Sequence, residues 1–181
     1  MKTLRLLSFA AGIALILAGC SGPKGDTGPQ GSAGLNGNAN VIDHTYSVTS
    51  WTWTASPGYW WAQWTDNDVT QSILNTGTVE VFVSYNSGTS WNNIPYSEVI
   101  SSGLTGIWTV NEALATIQVN YTYSDQAAHS DPNTEYSTTA CWFKVVCVAG
   151  PIMKKHPNTN WSNYYEVESV VKQENGLVLH N

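Results

Sequence analysis

The strongest constraint on this chain is a period-two alternation of apolar and polar residues that recurs in short runs. In "TVEVFVSY" (78–85), Val79, Val81 and Val83 fall on one face. In "LATIQVNYTY" (114–123), Ile117, Val119, Tyr121 and Tyr123 keep the same phase. Successive side chains of a strand point to opposite faces, so this period builds half-buried strands and cannot serve a helix. The pattern recurs around Tyr46–Val48 and Trp51–Trp53 and in "YWWAQWT" (59–65). "SPG" (56–58) marks a turn and "NSGTS" (86–90) a hairpin loop. "CWFKVVCVAG" (141–150) is apolar on both faces, which suits a central strand. Many short strands with Gly, Asn and Ser turns predict a mainly β fold, an antiparallel β-sandwich.

One helix is expected at the C-terminal end, within "NWSNYYEVESVVKQENG". Ser162 or Asn163 can cap it, Tyr164, Val167, Val170 and Val171 form its apolar stripe, and Gly176 can stop it. A shorter helical turn is expected in "VTQSILN" (69–75), ended by Gly77.

The first forty residues follow other rules. Lys2 and Arg5 precede an apolar stretch, Leu6–Leu17, that is too short to span a bilayer and reads as a signal peptide over 1–19. Its end, Leu17-Ala18-Gly19-Cys20, resembles the lipobox of bacterial lipoproteins. That resemblance implies cleavage between Gly19 and Cys20, acyl chains on Cys20 and a membrane partner through that anchor. Ser21, where an Asp would imply inner-membrane retention, implies the outer membrane. The domain's face, periplasmic or surface, stays open.

Gly22, Gly25, Gly28, Gly31, Gly34 and Gly37 then recur every third residue. Only glycine fits the axis of a collagen triple helix, so the spacing carries meaning. With Pro at just two X positions, Pro23 and Pro29, and so few triplets, an extended spacer over 20–39 is favoured over a trimeric stem. At ~3.1 Å per residue, these triplets would reach about 55 Å. A weak homotrimer through the run is the alternative. The β domain then occupies 40–181.

Composition narrows the function. Beyond residue 19 only five basic side chains remain against 13 acidic ones, leaving no basic stripe for phosphates. Nucleic acid is therefore not an expected partner. Charged residues are 11% of the chain, against about 25% in an average domain. Aromatics fill the gap, with 9 Trp and 9 Tyr. Trp and Tyr join a large apolar ring to a polar handle, so they serve interfaces as well as cores. In "WTWTASPGYWWAQW", Trp60 and Trp64 share one strand face while Tyr59 and Trp61 share the other. The cluster is either core and edge packing or an aromatic platform for a glycan or an envelope protein, with Trp60, Trp64 and the loop residue Trp91 as candidate ligand-binding residues.

Other chemistry has little support. Cys141 and Cys147, six steps of ~3.3 Å apart on one strand, stand about 20 Å apart and should not pair. His44, His129, His156 and His180 lack ligand spacing. Asp66-Asn67-Asp68 offers oxygens for calcium but is better explained as a polar turn, so no metal is expected. Asp125 and Asp131 lie in a polar loop and carry no stronger claim. No nucleophile elbow, zinc-protease motif or phosphate loop is present, Glu166 and Glu168 fall on different helix faces, and neither enzyme activity nor a cofactor is expected.

The layout resembles small Gram-negative collagen-like lipoproteins with a C-terminal all-β domain. The matching stretches are "GNANV" (37–41), "DVTQSILNTGTVEVFVSY" (68–85), "WNNIP" (91–95), "FKVVCVAG" (143–150) and "NYYEVESVV" (163–171). The group supplies no catalytic residues to carry over, and the tryptophans at 51–64 depart from it. Three functions follow as expectations: a lipid-anchored binding or adhesion module, a structural envelope component with no small ligand, and, least supported, a hydrolase.

Overall fold

The alternating segments become strands of two antiparallel sheets. The computed structural model describes residues 41–174. The signal peptide, Cys20, the Gly-X-Y run, Gly176 and His180 lie outside the described residues. The strands are β1 (Val41–Val48), β2 (Thr52–Thr54), β3 (Tyr59–Thr65), β4 (Thr78–Ser84), β5 (Asn92–Ile94), β6 (Tyr96–Ser101), β7 (Leu104–Ala113), β8 (Thr116–Tyr123) and β9 (Cys141–Val148). Among the described residues the helices are α1 (Gln71–Thr76), α2 (Pro132–Glu135), α3 (Gly150–Lys155) and α4 (Tyr164–Glu174). The first sheet runs β1-β9-β4-β5 and the second β2-β3-β8-β7-β6.

The two sheets pack face to face as a β-sandwich, and the expected phases set the core. Val79, Val81, Val83, Phe143 and Val145 from the first sheet meet Trp108, Ile117, Val119, Tyr121 and Tyr123 from the second. The first sheet is also apolar on its outer face. There Val41, Phe82, Val146 and Val148 are covered by Ile152 of α3 and Val167, Val170 and Val171 of α4. A sheet buried on both faces needs continuous apolar strands, which is why 141–148 carries no polar alternation. β9 sits between β1 and β4, as a central strand should.

The C-terminal helix starts at Tyr164, where Asn163 Oδ1 accepts from the amides of Tyr165 (3.0 Å) and Glu166 (3.4 Å). Asn163 is therefore the cap, and Ser162 is not. In α1, Thr70 Oγ1 accepts from the Ile73 amide at 3.3 Å, and the Gly77 amide closes the helix on Ile73 O.

The sequence patterns do not mark β5, β6 and β7. The reason is visible in β6. Its half-buried positions are Tyr96, Glu98 and Ile100, whereas Val99 is 77% exposed. A carboxylate occupies an inward position because Tyr85 and Tyr136 both donate hydroxyls to Glu98 Oε1. The apolar signal is thereby displaced from the inward phase. In β7, Gly106 lies against the Tyr121 ring, where an added methyl would collide with the hydroxyl. A glycine in that position weakens a strand signature although the fold requires it.

Cys141 and Cys147 both project into the sandwich, buried and free, in agreement with the extended spacing expected of them. Burial pushes each thiol up to about 12.

Candidate functional site

The tryptophans are distributed rather than gathered. Trp60 pairs with Tyr121 across β3 and β8, faces the core and rests against Trp53, ring centroids 5.2 Å apart. Trp64, on the same face four residues on, lies between Tyr46 of β1 (5.0 Å) and Phe143 of β9 (5.6 Å). Trp91 belongs to the opposite side of the first sheet. It stacks on Tyr164 at 5.7 Å, with Lys144 Nζ 5.4 Å above its ring. The fold therefore brings Trp60 and Trp64 to one interior and leaves Trp91 with the helix layer.

Trp64 borders an opening. A cleft of about 220 Å³ is lined by Tyr46, Ser47, Thr49 and Ser50 on one side and Gln63 and Trp64 on the other. Strand pairing explains its position. β1 is the outer strand of the first sheet and pairs with β9 alone. β2 pairs with β3 only at Tyr59–Trp61, so on the side away from β8 Ala62–Thr65 has no strand partner among the described residues and forms a second open edge. The cleft lies where these two edges face each other. Its wall is aromatic, and its rim carries hydroxyls and an amide.

Titratable groups crowd the adjoining end. His44, on β1, places Nδ1 3.2 Å from the Tyr46 hydroxyl and 3.6 Å from Asp66 Oδ2. Its Nε2 is 3.4 Å from Asp68 Oδ2. Burial, and after it the Asp66 carboxylate, raises the Tyr46 phenol well above its ordinary value. The Asp66-Asn67-Asp68 segment is the expected polar turn: Asp66 Oδ1 accepts the Asp68 amide at 3.0 Å and Asp66 O the Val69 amide at 3.1 Å. The turn is tied to the β7–β8 turn as well, through Asp66 N to Ala115 O (3.2 Å) and Ala115 N to Val69 O (2.9 Å). Sequence reasoning missed His44 because 22 positions separate it from Asp66, and only the facing of β1 and β3 joins them.

Among the described residues, His129, His156 and the remaining acids that the sequence singles out have partners of their own. His129 Nε2 meets Asp125 Oδ2 at 2.8 Å, and that contact holds the Asp125 carboxyl below its usual range. His156 Nε2 and Lys155 Nζ both contact Glu174 Oε1, at 2.7 and 2.8 Å. Asp131 caps α2 through Asn133 N and Thr134 N. Glu166 accepts the Asn160 amide, whereas Glu168 pairs with Lys172 and Tyr164, so the two acids face separate partners.

No protein-family model matches the chain, and no curated protein or solved structure matches it either.

Proposed function

We propose that the chain is a lipid-anchored cell-envelope protein whose β-sandwich is a binding module, with the cleft between β1 and β3 as its ligand site. One observation carries the reading: Trp64 and Tyr46 form an aromatic wall beside Ser47, Thr49, Ser50 and Gln63 at two unpaired strand edges. A sugar ring offers an apolar face to stack on such a wall and hydroxyls for the rim, so a glycan of the envelope is the favoured ligand. Anchoring by acyl chains on Cys20, an outer-membrane address and a Gly-X-Y spacer belong to the same reading. They rest on the lipobox resemblance and the glycine period.

The test is a glycan array probed with the full chain in detergent, followed by titration monitored through tryptophan emission. Trp64→Ala and Gln63→Ala should each weaken binding, while Trp91→Ala should not. Absence of any glycan that shifts the emission would sink the cleft as a sugar site.

A second reading is a structural envelope component with no small ligand. Trp108 is fully buried and Trp60 turned to the core, so most of the aromatic content there stabilises the sandwich. This reading gains if Trp64→Ala unfolds the domain and no ligand is found for the wild type.

A further inference from the structure

We propose that His44, Asp66 and Asp68 form a binding site for a divalent transition-metal cation of the zinc class, held between the two sheets. His44 comes from the first sheet, and both aspartates come from the turn that leaves β3 in the second. One imidazole nitrogen and one oxygen from each carboxylate lie within 4.8 Å of one another. Ligands bound to zinc at about 2.0–2.2 Å stand about 3.4 Å apart at the corners of a tetrahedron. His44 Nε2 and Asp68 Oδ2 are already 3.4 Å apart, whereas Asp66 Oδ2 lies nearest the other ring nitrogen, 3.6 Å from Nδ1, and would have to close on the ion from within the 4.8 Å span.

Charge supplies an independent reason. The Asp66 side chain is only 1% exposed, yet its sole ion-pair partner among the described residues is the imidazole. Asp68 likewise meets no lysine or arginine among the described residues. Buried carboxylates are ordinarily paired with a cation or bound to a metal, and Asp66 meets no lysine or arginine among the described residues.

The donor set selects the metal. Calcium takes six to eight oxygens, more than this site offers, whereas one nitrogen with two carboxylates suits zinc, cobalt or nickel. Because the turn is bolted to Ala115, the aspartates need little ordering before a metal arrives. His44 and Asp68 are 42% and 35% exposed, which gives an ion an entry path and leaves a coordination position toward solvent. The site does not depend on the glycan reading, since its readouts are metal binding and metal spectroscopy.

The experiment uses the full chain in detergent, stripped with chelator. Zinc titrated by calorimetry should bind one equivalent and raise the melting temperature. Cobalt should give the intense visible absorption of a tetrahedral ion, a readout that needs no variant. His44→Ala and Asp68→Asn should weaken zinc binding by about tenfold or more while the far-ultraviolet circular dichroism is kept. His129→Ala should leave it unchanged, and calcium should bind far more weakly than zinc. The proposal is overturned if the wild type shows no saturable zinc binding, if cobalt stays octahedral, or if folded His44→Ala binds zinc as the wild type does.

Discussion

The indole nitrogens of Trp60 and Trp64 are buried without an acceptor, whereas Trp108 Nε1 donates to the Tyr136 hydroxyl at 3.4 Å. An orphaned buried donor costs about 1–3 kcal/mol, which a phenyl ring would not incur. Trp60→Phe and Trp64→Phe should therefore be tolerated better than Trp108→Phe, by about 1–3 kcal/mol in urea unfolding. Equal losses at the three sites would refute this. Glu80 gives a pH test. Burial holds its carboxyl above the ordinary 4.5, against the hydrogen bonds from Thr78 and Asn93. The folded state thus binds that proton more readily than the unfolded one. The resulting stability is complete below pH 4.5 and is lost as pH rises through the folded value. Glu80→Gln should accordingly gain relative to wild type at pH 7, and the gain should shrink below pH 4.5. A difference that grows on acidification would contradict the sign. At this scale the sequence was readable where a side chain follows its own strand's phase, as Trp64 does. Glu98 turned inward to two tyrosines was not, and neither was His44 meeting a turn of the other sheet.

Among elements, legibility followed the directness of the apolar signal. β4, β8, β9 and α4 each bury the stripe that their spacing announces, because those faces meet mainly apolar partners, with the tyrosine hydroxyls satisfied at their margins. β6 and β7 were hidden by Glu98 and Gly106, residues chosen for contacts with tyrosines on other elements. The first sheet, covered on both sides, should be the more sensitive to truncation. Phe143→Ala removes a ring packed against Trp51, Trp64 and Trp108 and should cost about 3–5 kcal/mol. Asn163→Ala removes only the cap of α4 and should cost about 1 kcal/mol. Chemical denaturation of both variants checks the ranking, and a cap loss equal to the core loss would mean that α4 carries the sheet.

For the whole molecule, the glycine period is the one feature whose meaning depends on other copies of the chain. A spacer predicts that residues 21–181 sediment as a monomer at high concentration, and a trimer there would revive the collagen stem. The two cysteines set a different demand, one of timing. Burial holds each thiol far above its ordinary value, so almost none is ionised at neutral pH and the folded domain is nearly inert to thiol exchange. The unfolded chain has no such protection. Six residues apart in a loose chain, Cys141 and Cys147 can close a small ring that the extended β9 forbids. That ring would sit in the strand that joins β1 to β4, and without it the first sheet cannot assemble. Folding must therefore outrun oxidation. Refolding in glutathione disulfide should yield less native protein than refolding in reductant, and Cys147→Ala should abolish the difference.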